Sequence, residues 1–259
     1  MNNPRKPGAL ALAGFGASGG QVFSPPQLVT FCQALALIKG AASPYARCVV
    51  ALDQPTIVPN AAGCRPVERI AKSVVEHCGG GVQPSSRARI GMFCDNAPIW
   101  CFKDKLGAED DPHQTRAANQ GAFLIEVFPA LALSGLSDQF FGPKRAPKYN
   151  PGNRTKYKQA DWEAVCTSIA DHASKRGLVE MADWATASAQ LEHPRKADQD
   201  RLDAVICTLI GVMWLADPPD ATMMIGDLET GYIVTPVSKA SRERLDKKAR
   251  LLASQPLTP

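Results

Sequence analysis

The sequence lacks several features that would place it in a familiar class of protein. No apolar run approaches the roughly 20 residues that a membrane-spanning helix needs, which argues against an integral membrane protein. The eight cysteines include no CxxC pair, and the spacing of Cys94, Cys101 and His113 fits no common zinc pattern. Gly79-Gly80-Gly81 is not followed by the Lys-Ser/Thr of a P-loop, so we interpret it as the end of a helix.

What the chain does have is an ordinary globular composition. Its 259 residues are 45% hydrophobic and 21% charged, which suits one large α/β domain or two small ones. The net charge of +4 is only mildly basic and does not by itself imply a nucleic-acid partner. The N-terminus resembles a poor signal peptide, and Cys48, Cys166 and Cys207 lie inside apolar runs. Buried free thiols predict a reducing, cytoplasmic location.

The pattern of apolar residues predicts a single α/β domain over residues 1–259. Predicted strands cover residues 8–15, 21–23, 48–53, 122–128, 223–225 and 232–235, with a turn at 16–20. Predicted helices cover residues 24–39, 66–77, 113–119, 161–175, 178–190, 199–215 and 238–252. Residues 82–120 and 130–160 are predicted to be loop-rich insertions, and residues 238–259 to be a charged helical tail.

Residues 123–129 form an apolar segment with one carboxylate, Glu126, in its middle. Burying an unpaired carboxylate costs several kcal/mol or more, so such a group is normally neutralised, paired or metal-bound. No cation lies within four residues of Glu126 in the sequence. We therefore expect its partner to come from elsewhere in the fold.

Two other segments supply acids. Residues 48–53 form an apolar run ending in Asp53, at a strand end where α/β sheets place ligand sites; the alternative is a turn before Pro55. Asp203 is predicted to share the apolar face of its helix with Ile206, Cys207 and Ile210, and so to project inward. Asp200 suits a metal role and a helix-dipole role equally well.

Together these acids predict a divalent metal site made by Asp53, Glu126 and Asp203, with Asp200 as a further catalytic candidate. Hard oxygen ligands of this kind select Mg²⁺ or Mn²⁺ over zinc. Two such ions about 4 Å apart can activate a water and stabilise the leaving oxygen in phosphodiester hydrolysis. We expect the three carboxyl groups to lie within about 10 Å of each other, the span of a two-ion site.

The segment from Phe140 to Ala160 carries cations and no acid. It contains Lys144, Arg145, Lys148, Arg154, Lys156 and Lys158, with Tyr149 and Tyr157 among them. Cations for phosphates and rings for base stacking suit a nucleic-acid contact, while the alternative is a solvated loop. The candidate substrate-binding residues here are Lys148, Tyr149, Arg154 and Lys156.

Arg65 is a fifth candidate for substrate binding. With Glu68 it follows the Asp53 loop closely, so both side chains could line the same cleft. The alternative is an ion pair on the helix surface, three residues apart. The sequence favours neither interpretation.

Six motifs in this order resemble the DUF429 family of predicted RNase H-like nucleases. They are Ala51 to Asn60, Arg65 to Arg69, Ile125 to Pro129, Lys148 to Pro151, Asp200 to Ala204 and Gly231 to Pro236. The resemblance implies an RNase H-like fold, a five-stranded mixed sheet flanked by helices with acids clustered at the strand ends. It also implies that Asp53, Glu126, Asp200 and Asp203 bind metal. Activity in this family is inferred largely from fold.

The sequence departs from the family pattern near its start. The family opens with a central strand that ends in Gly-hydrophobic-Asp, whereas Gly14-Phe15-Gly16 has glycine where the acid should be. The chain therefore resembles a family member whose central first strand is missing at the N-terminus. We expect the two neighbours of that strand to have unpaired edges or a gap between them, and the two-ion site to be incomplete.

The function expected from this sequence is a metal-dependent nuclease acting on DNA or RNA. One alternative is a non-catalytic nucleic-acid-binding or scaffold protein with an incomplete site. A less favoured alternative is an actin-like phosphotransferase, for which 259 residues are short. Nucleotide binding in a thermal-shift assay would distinguish the phosphotransferase from the other two.

Overall fold

The first two strands form an antiparallel hairpin. The computed structural model describes residues 7–16 and 21–254, so most of the turn predicted at 16–20 lies outside the described residues. Strand β1 (Gly8–Phe15) pairs with β2 (Gln21–Val29), as predicted for the first strand. The second strand is longer than predicted and contains Pro25 and Pro26, which lack the N–H that a central strand would donate.

The helix predicted from residue 24 begins later. Helix α1 spans Phe31–Ala42 and starts after Thr30, whose side chain accepts a hydrogen bond from the Gln33 N–H while Gln33 accepts from the Thr30 N–H. This capping box fixes the start at residue 31. The prediction was wrong because Ser24-Pro25-Pro26 also resembles a helix start.

The next two strands are parallel to each other and enclose residues 53–120 between them in the sequence. Strand β3 (Arg47–Leu52) pairs with β4 (Gly121–Glu126), with Leu52 opposite Glu126. Between them lie α2 (Pro66–Val75), α3 (Pro98–Leu106) and α4 (Pro112–Ala117). The predicted insertion at 82–120 thus contains two helices rather than one, each with proline in its first turn.

The remaining helices surround these strands. They are α5 (Pro129–Leu136), a short 3₁₀ helix (Asp138–Phe140), α6 (Gln159–Ser174), α7 (Val179–Ala189), α8 (Lys196–Ala216) and α9 (Lys239–Ala253). Helix α5 lies in a segment predicted to be loop-rich; its residues are almost all apolar, so it shows no helical periodicity. None of the helices in the described part of the chain is long and apolar enough to cross a membrane.

A second hairpin follows α8. Strand β5 (Thr222–Asp227) pairs with β6 (Gly231–Pro236), and one parallel bridge from Val127 to Val234 joins β6 to the end of β4. Within residues 7–16 and 21–254 the strands therefore form three two-stranded sheets linked by packing. The architecture is mixed α/β, as the sequence predicts.

Helix α8 is the element that brings these sheets together. It packs against β1, β2, β3 and β6, and its inner face is fully buried at Leu202, Val205, Ile206, Leu209 and Ile210. In the described residues, β1 pairs with β2 and β3 with β4, but β1 and β3 do not pair with each other.

Candidate metal centre

Two of the predicted acids meet where β3 ends and α8 begins. Asp53 directly follows the last residue of β3. Helix α8 packs closely on this strand, since a Cβ added at Gly211 would lie 3.4 Å from the Cβ of Ala51. Asp203 lies two turns before Gly211, and its charge acts on Asp53, so both carboxyl groups lie near the same end of the strand.

The Asp203 carboxylate is held by two neighbours. The Tyr149 hydroxyl donates to Oδ1 at 2.8 Å, and the Gln199 side-chain amide donates to Oδ2 at 2.9 Å. Tyr149 is buried, and Gln199 lies one helical turn before Asp203. These two contacts fix the orientation of Asp203.

Both carboxyl groups bind protons more tightly than ordinary aspartates. Burial raises the pKa of Asp53 to about 8, and the negative charges of Asp203 and Glu126 add to this effect. The Asp53 residue is itself exposed to solvent, so the charges of its neighbours matter more than burial for how tightly it binds a proton. Burial also raises the pKa of Asp203 to about 6, against the lowering effect of the Tyr149 hydrogen bond. A bound cation would relieve this repulsion.

Asp200 lies at the margin of this pair. Its carboxylate accepts from Lys196 Nζ at 2.6 Å on a partly exposed surface of α8. Its charge raises the pKa of both Asp53 and Asp203, while that of Lys196 lowers both. Asp200 is therefore near the pair but is bound by a lysine.

Glu126 has a different environment from the other predicted ligands. It ends β4, and both of its oxygens accept from Arg65: Nη1 donates to Oε2 at 2.9 Å and Nη2 to Oε1 at 2.6 Å. The Thr56 amide also donates to Oε2 at 2.9 Å. Burial raises the pKa of Glu126 above its usual value, and the Arg65 contacts offset part of that effect. The bidentate guanidinium favours the ionised carboxylate, and metal binding by Glu126 remains a prediction.

Arg65 pairs with Glu68 as well as with Glu126, but not at the surface. Its side chain is 1% exposed, and Nε donates to Glu68 at 3.0 Å. Its Nη1 also donates to the carbonyl of Ile57. A Cβ at Gly231 would lie 2.7 Å from Nη1, so glycine there lets the guanidinium pass close to β6. Substrate contact by the buried Arg65 remains a prediction.

The basic segment borders the acid pair. Residues 148–158 of this segment form a loop whose two ends are joined by a hydrogen bond from the Lys158 N–H to the Lys148 carbonyl at 2.8 Å. A Cβ at Gly152 would lie 3.5 Å from Cδ of Lys196, which places this loop beside the start of α8. Arg154 and Lys156 are exposed at the loop surface.

The other two candidates in this segment make structural contacts. Lys148 Nζ donates to the carbonyl of Gly79 at 2.7 Å. Tyr149 is 8% exposed, so its ring has no open face for base stacking, and its hydroxyl contacts Asp203 instead. Burial raises the pKa of Tyr149 well above its usual range, and Asp203 adds to the effect.

A family model described as "Protein of unknown function (DUF429)" matches residues 5–227. The chain belongs to the DUF429 family. No curated protein and no solved structure matches the chain. All of the acids that surround the candidate centre lie inside the matched range.

The donors in this DUF429 protein fit one hard cation better than two. No group of three or more His, Cys, Asp or Glu side chains that could hold a metal occurs in the described residues. The oxygens at hand are the carboxylates of Asp53 and Asp203 and the Gln199 Oε1, which is buried and has no hydrogen-bond partner. Mg²⁺ is commonly bound through one or two carboxylates, with waters filling the other positions.

Two features of this DUF429 site were missed from the sequence. Gln199 precedes Asp203 by four residues, and that helical spacing could have identified it. The second is a network beside Glu126, in which Asp110 accepts from Lys103 at 2.6 Å and from the Tyr232 hydroxyl. The Glu126 N–H also donates to the Tyr232 hydroxyl at 3.3 Å. Because Tyr232 is 106 residues from Glu126 in the sequence, no local pattern indicates this hydrogen bond.

Proposed function

We propose that this protein is a metal-dependent phosphodiester hydrolase of RNase H-like fold, a nuclease located in the cytoplasm. The observation that carries the proposal is the Asp53–Asp203 pair, two carboxyl groups with raised pKa where strand β3 ends. The bordering loop presents Arg154 and Lys156 to solvent. Carboxylates beside exposed cations suit a phosphate substrate that is bound together with a divalent ion.

In the proposed site Asp53 and Asp203 hold Mg²⁺ or Mn²⁺, and Gln199 Oε1 is available as a neutral oxygen donor. Such an ion supplies activation of a water and stabilisation of the leaving oxygen. Tyr149 orients Asp203, and Lys196 offsets the negative charge of Asp200. Arg154 and Lys156 bind the phosphate backbone of DNA or RNA.

The test is cleavage of labelled single-stranded and duplex DNA and RNA in Mg²⁺, Mn²⁺ or EDTA. We expect cleavage that EDTA abolishes and that Asp53→Asn and Asp203→Asn each reduce by about 10–100-fold or more, as loss of a metal ligand or its support commonly does. Asp95→Asn is the matched control, because Asp95 is 94% exposed and pairs with Arg87 at the surface. Cleavage that survives EDTA or both substitutions would contradict the proposal.

A second candidate is a nucleic-acid-binding protein without activity. The observation favouring it is the absence of a group of three metal-ligating acids among the described residues. Binding of the same substrates without cleavage in either metal would select it. A nucleotide-dependent thermal shift would instead select the phosphotransferase alternative.

A further inference from the structure

A cleft of about 370 Å³, the arginine cleft, lies between α4, the end of α8, the start of β5 and the start of α9. Its lining includes two arginines, one histidine and two methionines, which are Arg116, Arg242, His113, Met223 and Met224. Small-molecule sites commonly measure about 300–1,000 Å³, so the cleft has the size of such a site. It is separate from the candidate metal centre, because Trp214, which also lines it, follows Asp203 by roughly three turns of α8, about 16 Å along the helix.

The Arg116 guanidinium is held in the cleft by neutral acceptors. Its Nε donates to the carbonyl of Trp214 at 3.0 Å, and its Nη2 donates to the hydroxyl of Thr222 at 2.6 Å. The guanidinium carbon also lies 3.7 Å from the centroid of the Trp214 ring, a cation–π contact. These contacts fix the position of the guanidinium, while its Nη1 donates to no acceptor within residues 7–16 and 21–254.

Arg242 approaches the same residue of β5 from α9. Its Nη2 donates to the backbone carbonyls of Thr222 at 2.9 Å and Asp220 at 3.0 Å. Thr222 therefore accepts from both arginines, through its hydroxyl and its carbonyl, so both guanidiniums lie within hydrogen-bond distance of one residue. In the part of the chain that the structure describes, Nε and Nη1 of Arg242 have no acceptor.

The positive charge of the cleft has no acidic partner there. Neither arginine forms an ion pair with another described residue, and no acid is found among the described residues that line the cleft. The charge of Asp217 acts on Arg116, but the Asp217 carboxylate accepts from Nε and Nη2 of Arg176. Asp111 accepts from backbone N–H groups at the start of α4. Two neighbouring cations repel each other, and a bound anion would relieve that repulsion.

Burial lowers the pKa of Arg116, and the charge of Asp217 offsets part of this effect. The guanidinium is thus a partly buried cation. Its hydrogen bonds to the protein go to a carbonyl and a hydroxyl, which carry no charge. An anion in the cleft would supply the missing countercharge.

We propose that the arginine cleft binds a phosphate monoester of a small organic molecule. A phosphate monoester carries about −1.5 to −2 charges at neutral pH, so it can accept from both guanidiniums, whereas a carboxylate carries a single charge. The exposed His113 supplies a further donor when protonated. The half-buried Met223 and Met224 contact the organic part of the ligand, because thioether side chains adapt to apolar groups of different shape.

The test is binding of phenyl phosphate to the full chain in EDTA, measured by isothermal titration calorimetry. Benzoate and inorganic phosphate are the comparison ligands: benzoate keeps the ring with a single charge, and inorganic phosphate lacks the ring. We expect phenyl phosphate to bind about tenfold or more tightly than either, since one hydrogen bond between charged groups is worth that factor. NMR spectra of the arginine Nε–Hε groups should show that Arg116 and Arg242 respond to phenyl phosphate.

Ala117 offers a matched pair of variants that leaves both arginines and their contacts in place. It is exposed, lines the cleft and ends α4. Ala117→Glu adds a negative charge to the cleft, and Ala117→Gln adds a neutral side chain of nearly the same size. We expect phenyl phosphate to bind about tenfold or more weakly to Ala117→Glu than to Ala117→Gln, because like charges repel at this range. Thermal unfolding of both variants shows that each is folded.

Weaker binding to Ala117→Glu than to Ala117→Gln, with the ligand preference above, supports the proposal. Equal binding to the two variants, no binding of phenyl phosphate, or equal binding of phenyl phosphate and either comparison ligand overturns it. Asp53→Asn should bind phenyl phosphate as wild type does, and a changed affinity would place the ligand at the metal centre instead. Because divalent ions are removed by EDTA, the result does not depend on the proposed catalytic activity.

Discussion

Arg65 donates a hydrogen bond to each carboxylate oxygen of Glu126, with N–O distances of 2.9 and 2.6 Å, and both side chains are almost completely buried. The same guanidinium donates to the carbonyl of Ile57, and Glu126 accepts from the Thr56 amide. The pair therefore fixes the loop that follows Asp53. Burial alone would lower the pKa of Arg65, but Glu126 and Glu68 outweigh it and raise the pKa.

Arg65→Met is expected to destabilise the fold by about 3–5 kcal/mol, because it leaves Glu126 and Glu68 buried without a cation. Urea unfolding measures the loss. Arg201→Met is the matched control, since Arg201 pairs with Asp198 on a partly exposed surface, and it should change stability by less than about 1 kcal/mol. Equal effects of the two substitutions would show that the buried pair has no special role.

Asp53→Asn is expected to stabilise the protein at neutral and alkaline pH. The folded-state pKa of Asp53, about 8, lies above its ordinary value of 3.8. The stabilisation from protonated Asp53 is therefore complete below pH 3.8 and is lost as the pH rises to 8. Asparagine stays neutral at every pH. The stability difference between Asp53→Asn and wild type should therefore grow from pH 3.8 to pH 8 and stay constant above that.

Thermal unfolding from pH 4 to pH 9 measures this advantage. We expect Tm to rise by about 2–4 °C at pH 8, corresponding to about 1 kcal/mol after a discount for the exposure of Asp53. Asp95→Asn is the control and should show no such trend, because Asp95 is 94% exposed. A constant difference between the Asp53 variant and wild type at all pH values would rule out the raised pKa.

The sequence indicated the acid pair better than it indicated the partners of each acid. Asp53 follows an apolar strand and Asp203 lies on an apolar helix face, and both patterns are local. Glu126 was expected to need a distant partner, but the identity of that partner, Arg65, depends on the path of the chain over the 61 positions that separate the two residues. Proline misled the prediction at residues 24–26, because proline occurs both at helix starts and on unpaired strand edges.

Metal binding should release a proton near neutral pH. The pKa of Asp53 is raised, to about 8, so protonated Asp53 must lose its proton to bind a cation. We expect release of up to about one proton per Mn²⁺ at pH 7, and an apparent affinity that rises from about pH 6 to pH 8. Calorimetry in two buffers of different ionisation enthalpy measures the release. Binding without proton release would mean that Asp53 is not a ligand.

Tyr149→Phe is expected to raise the pKa of Asp203, because the tyrosine hydroxyl donates to the carboxylate and thereby lowers that pKa. Loss of this hydrogen bond should cost about 0.5–1.5 kcal/mol of stability. Carbon-detected NMR titration of the aspartate side chains measures the pKa. Tyr157→Phe is the matched control, because its hydroxyl contacts Gln159 rather than Asp203. An unchanged pKa of Asp203 in the Tyr149 variant would show that the Tyr149 hydroxyl does not act on this carboxylate.

Replacing both Arg154 and Lys156 with alanine is expected to weaken nucleic-acid binding and its dependence on salt. Both side chains are exposed on the loop beside Lys196, and neither forms an ion pair within residues 7–16 and 21–254. Each phosphate contact contributes about 0.9 to the slope of log affinity against log salt for duplex DNA, or about 0.7 for single strands. The double variant should therefore lose about 1.4–1.8 of that slope.

The control is Lys247→Ala with Arg250→Ala, two exposed cations on α9 that carry the same total charge. Fluorescence anisotropy between 50 and 200 mM salt gives both slopes, in the range where phosphate contacts dominate. Equal slopes for the two double variants would assign the basic segment to a solvated loop and leave the binding surface to other residues.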